Sequence, residues 1–114
     1  MGTADLNHER EDAVARALDA MWHKFLPDIR HRVEVLALAA QAAAAGPLRE
    51  EQRISAHAAA HKLAGSLGTF GLDRGTELAR ELEIRLSGSR IGPSQAPDLE
   101  RGATELRAII ENRK

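Results

Sequence analysis

Residues 56–72 read AHAAAHKLAGSLGTFGL, a run in which alanine and leucine recur with the period of an α-helix. At about 100° of rotation per residue, the apolar residues gather on one side and His61 lies on the other. A solvated helix side ordinarily carries Glu, Lys, Arg and Gln, whereas most residues on the side of His61 have short side chains or none. The predicted buried side comprises Ala56, Ala59, Ala60, Leu63, Leu67 and Phe70, and the side of His61 comprises His57, Ala58, Ala64, Gly65 and Gly68.

Gly65 is the most informative residue on the side of His61. Glycine inside a helix costs about 1 kcal/mol relative to alanine, and Gly65 lies one turn beyond His61 in an otherwise helical segment. One interpretation is clearance, which lets another macromolecule approach the imidazole closely. The alternatives are that Gly65 and Gly68 mark an early helix end, or that they let a neighbouring helix come near.

Two apolar patterns with helical spacing precede this segment. Pro27 lies between them and predicts a break or kink near Leu26, or one long bent helix. Gly46-Pro47 ends the second pattern, and the helix that carries His61 is predicted from near Arg49 to about Thr69. The two patterns are Val14, Leu18, Met21, Trp22 and Phe25, followed by Ile29, Val33, Leu36 and Ala40.

Two further helices are predicted after residue 72. Asp73 is expected to be the N-cap of the first, and Ser87–Pro97 reads as a loop because it is rich in Gly, Ser and Pro. The second precedes a polar tail at residues 112–114. Their inner sides comprise Leu78, Ala79, Leu82 and Leu86, and then Leu99, Ala103, Leu106 and Ile110.

Four or five amphipathic helices with mostly short connections predict an all-α fold. The expected architecture is an antiparallel up-down four-helix bundle with an additional N-terminal helix or helix extension. Since 114 residues allow one hydrophobic core, residues 1–114 are expected to form a single domain.

Composition narrows the classes of partner. The 16 basic and 17 acidic side chains are interspersed, which argues against nucleic acid. No apolar run approaches the roughly 18 residues of a membrane span, and residues 1–10 lack the apolar centre of a signal peptide. Cysteine is absent, which excludes disulfides and thiolate metal sites. We therefore expect a cytoplasmic protein without membrane or nucleic-acid partners.

Residues 60–72 resemble the signature of histidine-containing phosphotransfer (HPt) domains: a His, a Leu two residues later, then Gly and a small residue. The segment L-A-x-x-L-E that follows in that family is similar to Leu78–Glu83, so the close match covers about residues 56–83. The resemblance implies a phosphorelay carrier without kinase activity of its own. It would accept a phosphoryl group on Nε2 of His61 from a receiver-domain aspartate and pass it to another receiver.

The resemblance also implies partners and supporting residues. The partners would be a receiver domain, which supplies Mg²⁺, and a hybrid sensor kinase as a further candidate; the chain would need no cofactor of its own. Many family members carry Lys three residues after the His, where this chain has Ala64, and Lys62 as a partial substitute points about 100° away. The phosphoryl site would be supported by His57, Lys62, Gly65 and Ser66, with clearance for the partner at Ala58, Ala64 and Gly68.

Three other interpretations remain open at this point. The spacing of His57 and His61 suits two metal ligands, but zinc usually has three or four. A sensor-kinase dimerisation helix normally carries an acidic residue directly after its phosphorylated His, where this chain has Lys62. A helical module that binds a signalling partner without being phosphorylated is the third.

Overall fold

The computed structural model describes residues 3–88 and 90–113, and these form four helices. They are α1 (Thr3–Ala45), α2 (Glu50–Thr69), α3 (Asp73–Leu86) and α4 (Ala96–Asn112). The all-α prediction is confirmed, since the described part of the chain contains no strand. Four residues lie outside the described ranges: residues 1 and 2 of the polar N-terminal segment, residue 89 of the predicted loop and residue 114 of the polar tail.

The helices form a ring in which α1 and α3 each contact both α2 and α4. The inner sides predicted for α3 and α4 are buried in full, as are the alanines and leucines predicted for α2. Burying a leucine or isoleucine side chain stabilises the fold by about 1.5–3 kcal/mol. The largest fully buried side chains are Ile29, Leu36, Leu63, Leu67, Leu86, Leu99 and Leu106.

Helix α1 runs unbroken through Pro27, so the expected break near Leu26 is wrong and the alternative of a single helix holds. Proline removes the hydrogen bond to the carbonyl of His23, four residues earlier. Both residues are exposed, so water can satisfy that carbonyl. Trp22 and Ile29 are buried on either side of the proline and hold the helix to the bundle.

The N-terminal part of α1 is the predicted helix extension. At about 1.5 Å per residue, 43 residues span about 65 Å, which equals the longest dimension of the molecule, 65 Å. Trp22 is the first buried residue along the described chain. The first apolar pattern therefore forms a helix side of which Trp22 is buried, while Val14, Met21 and Phe25 are exposed.

A tight turn joins α2 to α3 and makes them antiparallel neighbours. Gly71 has a φ of 71°, a conformation that glycine adopts readily. Its N–H donates to the carbonyl of Gly68 at 3.1 Å, and the N–H of Leu72 donates to the carbonyl of Leu67 at 3.0 Å. Leu72, rather than the predicted Asp73, is the N-cap of α3. Asp73 lies in the first turn, where a negative charge favours the helix dipole.

The loop before α4 is shorter than predicted. Helix α4 begins at Ala96, so Pro97 lies in its first turn instead of the loop. Proline is tolerated there because the first N–H groups of a helix have no partner within the helix.

Candidate functional site

His61 stands on the outer surface of α2 with its side chain 71% exposed. Its Nδ1 atom lies 2.8 Å from Oε2 of Glu83 on α3, whose side chain is 25% exposed. The contact crosses from one helix to the next, because the turn after α2 brings α3 back alongside it. The imidazole is therefore both accessible and fixed in orientation.

The contact with Glu83 also decides which ring nitrogen of neutral His61 is free. An ionised carboxylate accepts hydrogen bonds and donates none, so Nδ1 carries the hydrogen in this contact. In the neutral ring the lone pair then lies on Nε2. Sequence reasoning quoted Glu83 within a motif and gave it no role. The signal that could have found it is the antiparallel register of two helices joined by a short turn.

The surroundings of Gly65 decide among its three interpretations. A Cβ built on Gly65 would meet nothing within 4 Å, and α2 continues beyond it to Thr69. Gly75 and Gly102 differ, since a Cβ on them would lie 2.9 Å from Leu67 and 2.8 Å from Leu82. Gly65 thus neither ends its helix nor admits a neighbouring helix, and the space above it is open.

Ala64, which is expected to provide clearance, borders α3 and does not face open solvent. It is 5% exposed. Three residues after His61 amount to about 300° of rotation, which places Ala64 near the side of α2 that borders α3. Arg53 lies on that same side and donates to the carbonyl of Leu86 on α3 at 2.8 Å.

The remaining predicted site residues divide between the neighbourhood of His61 and other sides of α2. Ala58 and Gly68 are exposed, and a Cβ on Gly68 would make an ordinary contact with Thr76 at 3.6 Å. Lys62 is exposed about 100° around the helix from His61. Ser66 is half-buried about 140° around, so the fold does not bring it to the imidazole.

An open depression of about 270 Å³ lies between α2 and α3 beside Glu83, the partner of His61. Ile84 at its edge is 72% exposed, more than any other large apolar side chain in the described part of the chain. Sequence reasoning missed Ile84 because it follows Glu83 within a helix side that reads as charged. The depression is lined by His57, Arg80, Glu83, Ile84 and Ser87.

The described residues also bear on two other kinds of site. Within the described residues, no three His, Asp or Glu side chains cluster in a way that could hold a metal ion. None of the described helices combines the length and the apolar character that crossing a membrane requires.

Comparison with known proteins gives two matches. The Hpt domain family matches residues 20–113 of the chain. The protein RcaC of Microchaete diplosiphon is 32% identical over 96 residues, which cover 83% of this chain and 15% of RcaC. The chain thus corresponds to a small part of that relative. No solved structure matches it.

Proposed function

Because this chain belongs to the family of Hpt domains, the histidine carriers of phosphorelays, we propose that it carries a phosphoryl group on His61. The donor is the aspartyl phosphate of a receiver domain, and the acceptor is the aspartate of another receiver. The chain has no kinase activity of its own in this proposal. Its contribution is one nucleophilic nitrogen and a surface that a receiver can approach.

The observation that carries the proposal is the exposed imidazole whose Nδ1 is bound to Glu83. Nε2 then presents its lone pair to solvent. A neutral imidazole is nucleophilic near physiological pH without a strong base. Glu83 fixes the ring orientation, which reduces the entropy lost when the reacting atoms align.

The transfer step needs no proton movement. The lone pair of Nε2 forms the new N–P bond, while the P–O bond of the aspartyl phosphate breaks and its electron pair leaves on the aspartate carboxylate. His61 retains the hydrogen on Nδ1 and becomes a phosphorylated imidazolium. Its positive charge lies against the Glu83 carboxylate, which stabilises it. Magnesium on the receiver side neutralises charge on the transferring oxygens.

The surface around His61 supports approach by a second protein. Gly65 leaves open space one turn beyond the imidazole, and Ala58 and Gly68 project little from α2. Ile84 offers an apolar contact beside the nucleophile. A transient partner needs only a modest interface.

Phosphoryl acceptance by His61 is tested with two donors. One is a set of receiver domains loaded by acetyl phosphate and Mg²⁺, and the other is phosphoramidate, a small donor that needs no docking surface. We expect the chain to gain one acid-labile, base-stable phosphate, measured by intact mass and phosphorus NMR. His61→Gln should abolish this gain while leaving helicity and thermal stability nearly unchanged, because the side chain is exposed.

His31→Gln on the exposed side of α1 is the matched control and should accept phosphate normally. Labelling that persists in His61→Gln would contradict the assignment of His61. A wild-type chain that gains no phosphate from either donor would overturn the carrier proposal. In that case the chain would be a helical module that docks a signalling partner without being phosphorylated.

A further inference from the structure

Phosphorylation of His61 would create a charge imbalance on the surface between α2 and α3. The phosphoryl group brings about two negative charges, next to the carboxylate of Glu83. Ala64 is buried and carries no charge, and Lys62 points about 100° away from His61. Neither position gives α2 a permanent cation directed at the phosphoryl group.

Arg80 on α3 lies where such a cation is needed. It lines the same depression as His57 and Glu83. Arg80 precedes Glu83 by three residues, about 4.5 Å along the helix axis, and α3 runs antiparallel to α2. That offset places Arg80 within one helical turn of Glu83, the residue that holds the imidazole of His61. The long side chain of Arg80 can therefore extend from α3 toward a phosphoryl group on His61.

The other two arginines of α3 are engaged elsewhere. Arg74 pairs with Glu105 of α4 at 3.1 Å, and Arg85 pairs with Asp98 of α4 at 3.1 Å. Both therefore lie on the side of α3 that faces α4, away from His61. Arg80 is exposed, and the described residues provide it with no ion pair.

We propose that Arg80 is the residue that binds the phosphoryl group on His61, in place of a cation on α2. This inference rests on the proposed function of His61. The guanidinium donates hydrogen bonds to the phosphoryl oxygens from α3, while Glu83 holds Nδ1 of the same ring. Arginine suits this role because its planar group donates to two oxygens at once and stays charged. Two residues three positions apart on α3 thus hold the two ends of the phosphohistidine.

The test compares four variants of the full chain with phosphoramidate as donor. Arg80→Gln should lower the rate of phosphorylation by about tenfold, the lower end of what one hydrogen bond to a charged group contributes. Arg80→Lys should recover most of that rate, because it restores the charge. Arg85→Gln on the same helix should react as the wild type does, and Lys62→Gln on α2 should lower the rate less than Arg80→Gln does.

Phosphorus NMR gives a readout that a merely structural role would not move. In phosphorylated Arg80→Gln, the resonance should titrate at higher pH than in the wild type, because a neighbouring positive charge favours the dianion. Arg85→Gln should leave the titration unchanged. Circular dichroism checks that all four variants keep their helices.

The outcomes separate this inference from the carrier proposal. If the wild type gains no phosphate, the carrier proposal fails before Arg80 is at issue. If His61 is phosphorylated and Arg80→Gln matches the wild type in rate and titration, the assignment of Arg80 is wrong and His61 stands. A larger fall in Lys62→Gln than in Arg80→Gln would assign the role to Lys62 instead.

Discussion

The two opposite faces of the bundle, one between α1 and α4 and one between α2 and α3, are built differently. Long charged side chains bridge α1 to α4: Arg30 contacts Glu111 through both carboxylate oxygens at 2.6 and 2.7 Å, and Arg107 contacts Glu34 at 3.1 Å. Between α2 and α3, His61 contacts Glu83, and the space above Gly65 one turn beyond is open.

This difference in side chains indicates which face of the bundle a second protein can approach. Both faces cover the same leucine and alanine core, so burial does not distinguish them. The ion pairs of the α1–α4 face cover its seam as an ordinary solvated surface does. The α2–α3 face replaces them with small residues, an exposed imidazole and Ile84. A second protein can come close there and would have to displace few side chains.

The strongest test of this comparison fills the open space above Gly65. Gly65→Gln should slow phosphoryl transfer from a loaded receiver about a hundredfold, because misplacing a partner by one ångström can cost that much. Phosphorylation by phosphoramidate should be nearly unaffected, since that donor is small. Both rates are measured by stopped reactions and intact mass.

Ala108→Gln on the exposed side of α4 is the control, because it adds the same side chain at a distance from His61. It should transfer at the wild-type rate. Transfer at that rate by Gly65→Gln itself would mean that clearance above Gly65 is irrelevant.

A smaller effect is expected when the acceptor of the His61 hydrogen bond loses its charge. Glu83→Gln still offers an oxygen to Nδ1 but no longer stabilises the imidazolium formed on transfer. We expect a rate about tenfold lower with phosphoramidate and with a receiver alike, the lower end of what one hydrogen bond to a charged group contributes. Glu111→Gln, the same change on the α1–α4 face, should leave both rates alone; equal losses in the two variants would remove any special role for Glu83.

The fold could be predicted from the sequence because it follows from local spacing. Apolar residues at helical intervals gave the inner sides of α3 and α4, and Gly46 and Pro47 gave the end of α1. The resemblance of residues 56–83 to Hpt domains is confirmed by the family match over residues 20–113. Pro27 was misjudged because its effect depends on tertiary contacts at Trp22 and Ile29, which no local pattern reveals.

The site could be predicted only in part, since its geometry depends on two helices. The exposure of His61 follows from the spacing within α2. The contact with Glu83 and the burial of Ala64 depend on where α3 lies, and this register is fixed by the turn at Gly71. The side of α3 that carries Arg80, Glu83 and Ile84 reads as solvated charge when the helix is considered alone.

Two glycine-to-alanine changes compare the open surface at Gly65 with the packed contact at Gly102 through the free energy of unfolding. Gly65→Ala should raise the free energy of unfolding by about 1 kcal/mol, since alanine favours the helix and the added carbon meets open space. Gly102→Ala should lower it by about 1 kcal/mol, because the new Cβ would lie within 3.1 Å of three buried atoms of Leu82. Urea unfolding measures both, and a gain from Gly102→Ala would show that α3 and α4 can separate without cost.

The smallest effect is expected from the exposed ion pair on the α1–α4 face. The hydrogen bond from Arg30 lowers the pKa of Glu111 below its ordinary value, and the positive charges of Arg30 and Arg107 add to this. A carboxylate with a lowered pKa stabilises the fold above its unfolded pKa, about 4.3, and that contribution is lost as the pH falls through the folded pKa. Glu111→Gln should therefore melt slightly earlier than the wild type at neutral pH, and the difference should vanish in acid. Thermal melts across this pH range measure the difference in stability.

Because both side chains are exposed, added salt should shrink the difference as well. A difference that persists in acid would mean that Glu111 acts through packing, and the α1–α4 face would then owe its closure to shape rather than to charge.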